Sequence, residues 1–292
     1  MQTLSLRKLI ESTTQQFQDA ELYYGHGTDD AAADAYYLVM CALGVDFHCN
    51  ETELDRVLDS EQIDTVNELI KNRIEQRIPV AYLVNQAWFA GLPFYVDERV
   101  LIPRSPIAEL IHNHFQPWVK TENVKQILDI GTGSACIPIA CAYAFPDAML
   151  DAVDIDNHAL EVAKKNIELH DLKDRIALYQ SDLFDDLPMC QYDIIISNPP
   201  YVSDAEMQTL PPEYTHEPSH ALEAENNGLA IVDRILKQAH QYLSEDGILI
   251  VEVGNSMEAL IEHYADIPFT WLEFEFGGKG VFLLSRQELI RS

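Results

Sequence analysis

The alternation of short apolar runs with helical patterns after residue 120 constrains the fold more than any other feature. Runs such as VKQILDI and YDIIIS are separated by amphipathic stretches such as HALEVAKKNIELH. This alternation predicts βαβ units, in which a mainly parallel sheet carries helices on both faces. Ligands of such sheets bind at the carboxyl ends of the strands. The residues that follow each apolar run are therefore the candidate functional residues.

Residues 1–80 show a different pattern, with apolar residues three and four positions apart and no alternation typical of strands. The segment 60–77 places its apolar side chains on one helical face, behind Asp59 and Gln62, which are spaced like a capping box. We therefore expect a small helical domain at the start of the chain.

Two hairpins are expected from β-rich runs that no helical pattern separates. The first flanks Gly91-Leu92-Pro93, and the second joins residues 269–274 to 280–285 as an antiparallel pair at the sheet edge. The predicted fold is α/β, with a mainly parallel seven-stranded sheet that ends in this antiparallel hairpin. The expected division is a helical domain over 1–80, a hairpin linker over 81–104 and a catalytic domain over 105–292.

The charge of the chain limits its partners. The 292 residues include 48 acidic and 19 basic side chains, for a formal charge of −29. Such a surface repels a phosphate backbone, so nucleic acid is not expected as a direct partner. Two interpretations of the charge stay open, namely a solvated surface that favours solubility and a strongly basic protein partner.

Composition and spacing also argue against several other classes of protein. The five cysteines are odd in number and have no CxxC spacing, which favours reduced thiols over a disulfide framework or a zinc site. The histidine pairs 112/114 and 216/220 lack accompanying ligands of zinc type, so no metal is expected. The first residues do not resemble a secretory signal and no stretch is long enough to span a membrane, so a soluble cytoplasmic protein is expected.

A glycine-rich turn follows the first strand of the predicted sheet. The strand ends in Asp129, and the chain then turns through Gly131, Thr132 and Gly133 into a helix. Glycines allow a close approach of the backbone to a ligand, and the helix N-terminus offers free N–H donors. These four residues are predicted to bind a nucleotide-like group. Cys136 stands where a dinucleotide fingerprint has its third glycine, which disfavours NAD.

Two further carboxylates end neighbouring strands. Asp154, followed by Ile155, lies about 20 residues past the glycine turn, where a carboxylate accepts both hydroxyls of a ribose. Asp182, followed by Leu183 and then Phe184, ends the third strand and could accept an adenine amino group. Each aspartate alone is equally consistent with a turn or a helix cap. Three acidic strand ends around one glycine turn favour a cofactor site.

The fourth strand of the predicted sheet leads into Asn198-Pro199-Pro200-Tyr201. Prolines that merely stop a strand would explain Pro199 and Pro200 but not the residues on either side. The Asn198 side-chain oxygen and the Pro199 carbonyl would form two fixed acceptors, and Tyr201 would offer a flat face. This set matches a planar –NH2 group, either an amide or an aromatic amine. Such a weak nucleophile needs alignment with a strong electrophile, and the sulfonium methyl of S-adenosylmethionine is one.

These motifs resemble those of the class I, Rossmann-like S-adenosylmethionine methyltransferases of the HemK/Prm type, which methylate the side-chain amide of a protein glutamine. The resemblance covers nearly the whole chain and includes DIGTGS, VDID, SDLF, SNPPY, EPSHAL and NGL. Residues 77–110 look like the PrmB branch, whose substrate is the large-subunit ribosomal protein L-3. The release-factor branch has Pro-Glu-Thr where this chain has Ser105-Pro106-Ile107, which argues against a release-factor substrate.

The resemblance implies roles for individual residues. It implies that Asn198, Pro199 and Tyr201 orient the glutamine amide, and that the N-terminal domain helps to select the substrate. It places around the cofactor Asp129, Gly131, Gly133, Asp154 and Asp182. A basic ribosomal protein would also give the acidic surface a use, since opposite charge increases association rates.

Several alternatives remain open at the level of sequence. The same motif suits glutamine methylation of release factors, or an adenine amino-methyltransferase, which the acidic surface disfavours. A non-catalytic assembly factor would use the fold only for binding. Arg104 is expected to form a structural ion pair, with a cofactor or substrate contact as the alternative. The polar segment 213–229 is expected to be a lid, with Glu217 as a possible contact.

Overall fold

The structure is a computed structural model that describes residues 4–291. The chain forms two compact units, each considered by itself below. The first comprises Met1–Ala87, Val96–Glu98 and Pro211–His216, and the second comprises Trp88–Tyr95, Arg99–Leu210 and Glu217–Ser292.

The first unit is helical, as its apolar spacing predicts. Its helices are α1 (Leu6–Asp19), α2 (Ala31–Ala42), α3 (Glu51–Leu54), α4 (Ser60–Gln76) and α5 (Val80–Leu83). The side chain of Asp59 accepts from the Gln62 N–H and the Gln62 side chain accepts from the Asp59 N–H, so the predicted capping box is confirmed. The helices bury a common apolar core that includes Leu6, Phe17, Leu38, Val66 and Ile70.

The predicted hairpin around Gly91 is confirmed as a two-stranded sheet. Strand β1 (Ala87–Phe89) pairs with β2 (Leu92–Phe94). The hairpin packs through Phe89 and Phe94 onto the larger of the cores of the second unit.

A seven-stranded sheet forms the centre of the second unit, which confirms the predicted fold class. Its strands are β3 (Gln126–Ile130), β4 (Met149–Asp154), β5 (Ile176–Gln180), β6 (Tyr192–Ser197), β7 (Leu243–Glu252), β8 (Thr270–Trp271) and β9 (Val281–Ser285). Their order is β5-β4-β3-β6-β7-β9-β8. The first five strands are parallel, and β9 runs antiparallel to both β7 and β8, as the closing hairpin predicts.

Helices pack on both faces of the sheet, which separates two apolar cores. They are α6 (Ile107–His112), α7 (Cys136–Ala144), α8 (Asn157–Leu169), α9 (Asp204–Met207), α10 (Glu225–Gly228), α11 (Ala230–Tyr242), α12 (Met257–His263) and α13 (Arg286–Arg291). Alternate residues of β6 point into different cores, with Ile194 and Ile196 in one and Ile195 in the other. This burial on both faces explains the continuous apolar run in YDIIIS.

The register of the parallel strands brings their carboxyl ends together. Ile130 at the end of β3 pairs with Val153 of β4 and with Ser197 of β6. Asp154 pairs with Gln180 at the end of β5. The segments that follow these strands therefore meet at one edge of the sheet, where parallel sheets bind their ligands.

No helix within residues 4–291 has the length and apolarity needed to cross a membrane. The same part of the chain contains no group of three or more His, Cys, Asp or Glu side chains arranged to hold a metal ion. All five cysteines are free.

Candidate active site

The turn between β3 and α7 is built on left-handed backbone. Gly131 and Gly133 have φ angles of +73° and +52°, and Ala135 at the start of α7 has +63°. The N–H groups of Gly131 and Thr132 both donate to the Val153 carbonyl at 2.9 Å. Because glycine adopts positive φ without steric cost, the two glycines allow the chain to reverse here. The turn is thereby tied to the end of β4, where Asp154 lies.

Asp129 is a buried carboxylate whose charge no described residue compensates. It is 1% exposed, and neither of its oxygens accepts a hydrogen bond from the described part of the chain. Burial raises the pKa of Asp129 to about 7, with a further contribution from the charge of Asp154, while the nearby Thr132 hydroxyl opposes part of this shift. Buried polar groups usually have partners, so this carboxylate indicates a missing cation or donor.

Asp154 lies at the end of β4 with each oxygen held by one backbone donor. The Gly133 N–H donates to Oδ2 at 2.9 Å, and the Asp156 N–H donates to Oδ1 at 3.0 Å. Burial raises the pKa of this carboxyl, and the two N–H groups partly oppose that shift. A carboxylate oxygen has two lone pairs, so both oxygens can still accept from a ligand hydroxyl.

Asp182 follows β5 and forms an ion pair that local sequence patterns do not predict. Its Oδ1 lies 2.9 Å from Arg234 on α11, and both side chains are more than one-third exposed. Leu183 next to it has a left-handed φ of +57°. Phe184 is buried and its ring stacks on Tyr242 with centroids 4.7 Å apart, so it belongs to the core.

A single cavity brings most of the predicted site residues together. Its lining includes Gly131, Thr132, Gly133, Asp154, Ile155, Asp182, Leu183, Asn198, Pro199 and Pro200. Asp129 and Tyr201 are not among the described residues that line it. Asp129 directly precedes the lining residue Ile130, whereas Tyr201 follows Pro200. The glycine turn, two carboxylates and the Asn198–Pro200 segment therefore share one space.

Tyr201 is held in place from several sides. Its hydroxyl donates to Oε1 of Glu252 at 3.0 Å, and its carbonyl accepts from the Ser256 hydroxyl at 2.7 Å. A Cβ on Gly254 would lie 2.5 Å from the Tyr201 ring, so only glycine allows the backbone to approach the ring this closely. The ring therefore packs on the chain that follows β7.

Glu252 anchors Tyr201 and a second segment with the same carboxylate. Its Oε2 accepts from the Ser105 hydroxyl at 2.6 Å. Burial raises the pKa of Glu252, and the two hydroxyl donors oppose this shift. Ser105 lines the cavity, so a chain of hydrogen bonds links the cavity wall to the Tyr201 ring. No motif in the sequence predicts a role for Glu252, whose position at the carboxyl end of a strand is its one local signal.

Arg104 and Glu217 form a bidentate ion pair, so the ion pair expected of Arg104 is confirmed. Their nitrogen and oxygen atoms lie 2.5 and 2.7 Å apart, and Glu217 also accepts from the Ile102 N–H at 3.1 Å. Arg104 lines the cavity as well. The segment predicted as a lid is thus fixed at Glu217. It is also fixed at Leu222, whose carbonyl accepts from the N–H groups of Tyr201 and Val202.

The arrangement fits a cofactor with a ribose, an amino-bearing base and a positive charge. Asp154 offers oxygens to hydroxyls, Asp182 lies at the cavity wall, and Asp129 supplies a buried negative charge without a partner. S-adenosylmethionine has all three features. The residues present therefore fit this group.

Two family models match the chain. The model described as the methyltransferase small domain matches residues 108–222, and the model described as the PrmC N-terminal domain matches residues 8–84. The first match covers the glycine turn, both cavity aspartates and the Asn198–Tyr201 segment.

Two relatives match almost the whole chain. The ribosomal protein uL3 glutamine methyltransferase of Francisella tularensis subsp. tularensis is 44% identical over 288 residues, which cover 98% of this chain and 92% of the relative. The protein of the same name from Burkholderia pseudomallei is 42% identical, with coverage of 98% and 95%.

A solved structure supports the fold. The catalytic domain of hMettl16, crystallised with a MAT2A 3′UTR hairpin, superposes with a TM-score of 0.52 at 19% identity, covering 82% of this chain and 86% of that chain. At this identity the likeness concerns the fold alone.

Proposed function

The chain belongs to the family of ribosomal protein uL3 glutamine methyltransferases, and from this premise we propose that it methylates the side-chain amide nitrogen of a glutamine in uL3, using S-adenosylmethionine. The observation that carries the proposal is the position of Asn198 and Pro199 in the wall of a cavity that Gly131, Gly133 and Asp154 also line. An amide bound by the first pair would lie beside a cofactor bound by the others.

The cofactor would be held by the residues after β3, β4 and β5. When bound, it supplies an electrophilic methyl group on a positively charged sulfur. Asp154 would accept the ribose hydroxyls, Asp182 would accept an adenine N–H, and the turn at Gly131–Gly133 would lie against the cofactor. Asp129 would neutralise positive charge of the cofactor, which agrees with a buried carboxylate that lacks a partner among the described residues.

The substrate amide would be bound by two acceptors at the end of β6. The Asn198 side-chain oxygen and the Pro199 carbonyl would each accept one N–H of the glutamine amide, which fixes the plane of the –NH2 group. Proline has no N–H and restricted φ, so the backbone presents the acceptor rigidly. Orientation is the main contribution expected from this pair, because an amide nitrogen is a weak nucleophile.

Tyr201 and Glu252 would support the amide site from behind. The Tyr201 ring is fixed by Glu252 and by its packing on Gly254. The direction in which Asn198 and Pro199 face depends on the chain that follows them. We therefore assign Glu252 as a positioning residue, which acts through Tyr201.

The protein substrate would be selected by the negative charge of the chain and by the N-terminal helical domain, residues 1–80. The formal charge of −29 attracts a basic ribosomal protein and increases its association rate at low salt. The same charge disfavours nucleic acid as the methyl acceptor.

The experiment that tests the proposal measures transfer of the labelled methyl group to purified uL3, a peptide chain release factor and duplex DNA under identical conditions. We expect methylation of uL3 at one glutamine, located by mass spectrometry of its peptides. Methylation of the release factor or of DNA, with none on uL3, would overturn the proposed substrate. Absence of transfer with intact cofactor binding would favour the non-catalytic assembly factor.

A further inference from the structure

A second concave surface of the second unit carries no assigned role. This groove has a volume of about 790 Å³. Small and apolar side chains form much of its lining, including Leu92, Ala108, Ile111, Tyr143, Ala144 and Phe276. We call this surface the aromatic groove, after Tyr143 and Phe276.

The two aromatic side chains of the groove are unusually exposed. Phe276 is 86% exposed and Tyr143 is 54% exposed. A single exposed apolar residue is common on protein surfaces, but two aromatic side chains in the lining of one concave surface indicate an interaction site. Aromatic residues are enriched at such sites because they bury a large area.

The loop that carries Phe276 is held in a defined conformation. The Glu109 carboxylate on α6 accepts from the Glu275 N–H at 3.0 Å and from the Phe276 N–H at 3.4 Å. Gly278 has a φ of +106°, and a Cβ there would lie 2.7 Å from Cβ of Pro106. The loop is therefore packed on the segment that begins α6. These contacts fix the backbone position of Phe276.

The aromatic groove adjoins the cavity of the proposed active site. Arg104 and Ser105 line both. The Ser105 hydroxyl donates to Glu252, which in turn accepts from the Tyr201 hydroxyl. One segment, residues 104–106, thus forms a wall of the cavity, a wall of the groove and the support of the Phe276 loop.

The exposed charged residues of the loop that carries Phe276 are more acidic than basic. Glu273 and Glu275 are both exposed, against one cation at Lys279 within residues 272–280. The whole chain has a formal charge of −29. A basic protein chain that carries an apolar side chain would complement both the negative charge and the exposed aromatic side chains of the groove.

We propose that the aromatic groove binds the stretch of the basic protein substrate adjacent to the methylated glutamine, with an apolar side chain of that stretch packed between Phe276 and Tyr143. This inference rests on the proposed function, because the glutamine must occupy the cavity on the other side of Arg104 and Ser105. The groove would contribute to substrate affinity and selection, and the chemistry at Asn198 would not depend on it.

The test compares Phe276→Ala with wild type, using full-length uL3 and a short peptide that contains the glutamine and one residue on each side. Phe276→Ala removes an exposed side chain, so the fold is retained. Ala144→Leu, which fills the groove, is the second variant. Met189→Ala is the matched control, because Met189 is 76% exposed and does not line the groove.

We expect Phe276→Ala to raise KM for uL3 by about tenfold, which is the effect of losing one well-packed aromatic contact. The kcat, the cofactor Kd and the KM for the short peptide should match wild type. Ala144→Leu should act in the same direction, and Met189→Ala should have no effect.

An unchanged KM for uL3 in both groove variants would overturn the proposal, as would an equal increase for uL3 and the short peptide. Methylation of uL3 by wild type separates this failure from failure of the proposed function. If wild type methylates uL3 and the variants match it, only the groove proposal fails. If wild type does not methylate uL3, both proposals fail.

Discussion

Asp129 and Glu213 are buried to the same extent, yet their surroundings differ completely. Each is 1% exposed. In the helical unit, Glu213 accepts from the Tyr23 N–H at 3.0 Å and pairs with Arg73, which also pairs with Asp34 at 2.9 Å. In the α/β unit, Asp129 has no hydrogen-bond partner among the described residues.

The two residues thus distinguish a buried carboxylate with partners inside its own unit from a buried carboxylate without a hydrogen-bond partner among the described residues. Arg73 pairs with both buried carboxylates and Arg77 lies 3.6 Å from Glu213, so the two acids are compensated by cations of the helical unit itself. The partly protonated state expected of Asp129, whose pKa is raised to about 7, shows the cost of leaving a buried charge alone. Structural acids and binding acids therefore differ in their partners, while their burial is the same.

The largest effect on stability is expected from Arg73→Met. This change leaves Asp34 buried without its cation and leaves Glu213 with Arg77 alone, at 3.6 Å, which costs about 3 to 5 kcal/mol in the free energy of unfolding. Urea denaturation followed by the helical circular dichroism signal measures the loss in the free energy of unfolding. Arg7→Met is the matched control, because Arg7 pairs with Glu51 and Asp55 at an exposed site and its removal should have little effect. Equal losses of stability in Arg73→Met and Arg7→Met would show that the buried ion pairs stabilise the protein no more than the exposed ones.

Asp129→Asn should weaken cofactor binding without unfolding the protein. An amide cannot neutralise a cation, and loss of an interaction with a charged group corresponds to about a tenfold to hundredfold increase in Kd. Calorimetric titration with S-adenosylmethionine measures this change. Asp34→Asn provides the opposite result, with reduced stability and an unchanged Kd for the folded protein. If Asp129→Asn binds the cofactor with the wild-type Kd, the Asp129 carboxylate does not contribute to cofactor binding.

The pH dependence of stability should identify Asp129 directly. Burial raises its pKa from 3.8 to about 7, so between these values the folded state binds a proton that the unfolded state has released. Its stabilising contribution is present below pH 3.8 and is lost as the pH rises through about 7, by at most about 1.4 kcal/mol per pH unit.

The measurement is urea denaturation of the cofactor-free wild type and of Asp129→Asn from about pH 5 to about pH 8. Stability of the wild type should fall with rising pH relative to the variant. Parallel curves would mean that Asp129 titrates at the same pH in the folded and unfolded chains.

The smallest effect is expected from Arg234→Ala. The pair of Arg234 and Asp182 is more than one-third exposed, so its loss should change the free energy of unfolding by well under about 1 kcal/mol. Asp182 keeps its place in the cavity wall, and cofactor affinity should change by less than about threefold. A large loss of stability, measured as a shift in the thermal midpoint, would show that this pair supports the fold as the ion pairs of Arg73 do.

Local patterns were sufficient to predict much of the fold. Apolar periodicity predicted the parallel sheet, and the spacing of Asp59 and Gln62 predicted the start of α4, because each depends on residues close together in the chain. The segments after β3, β4 and β6 were predicted to meet for a similar reason, since parallel strands place their carboxyl ends at one edge.

The missing features depend on contacts between distant residues. Tyr201 and Glu252 are 51 residues apart, Asp182 and Arg234 are 52 apart, and Ser105 and Glu252 are 147 apart. Sequence periodicity does not predict contacts between residues so far apart in the chain. Asp182 was predicted only as a cofactor ligand, and its ion pair was not foreseen. Phe184 directly follows the predicted cofactor residues Asp182 and Leu183, but its stacking on Tyr242 shows that an apolar residue beside a binding motif can belong to the core.

Orientation of the substrate amide by Asn198 is tested by the activity of Asn198→Ala measured together with its cofactor affinity. We expect methyl transfer to uL3 to fall by about a hundredfold or more, because the amide is no longer oriented, while the Kd for S-adenosylmethionine stays within about twofold of wild type. Asn255→Ala, at an exposed position, is the control and should match wild type in both quantities. Normal transfer by Asn198→Ala would contradict the claim that this side chain orients the substrate amide.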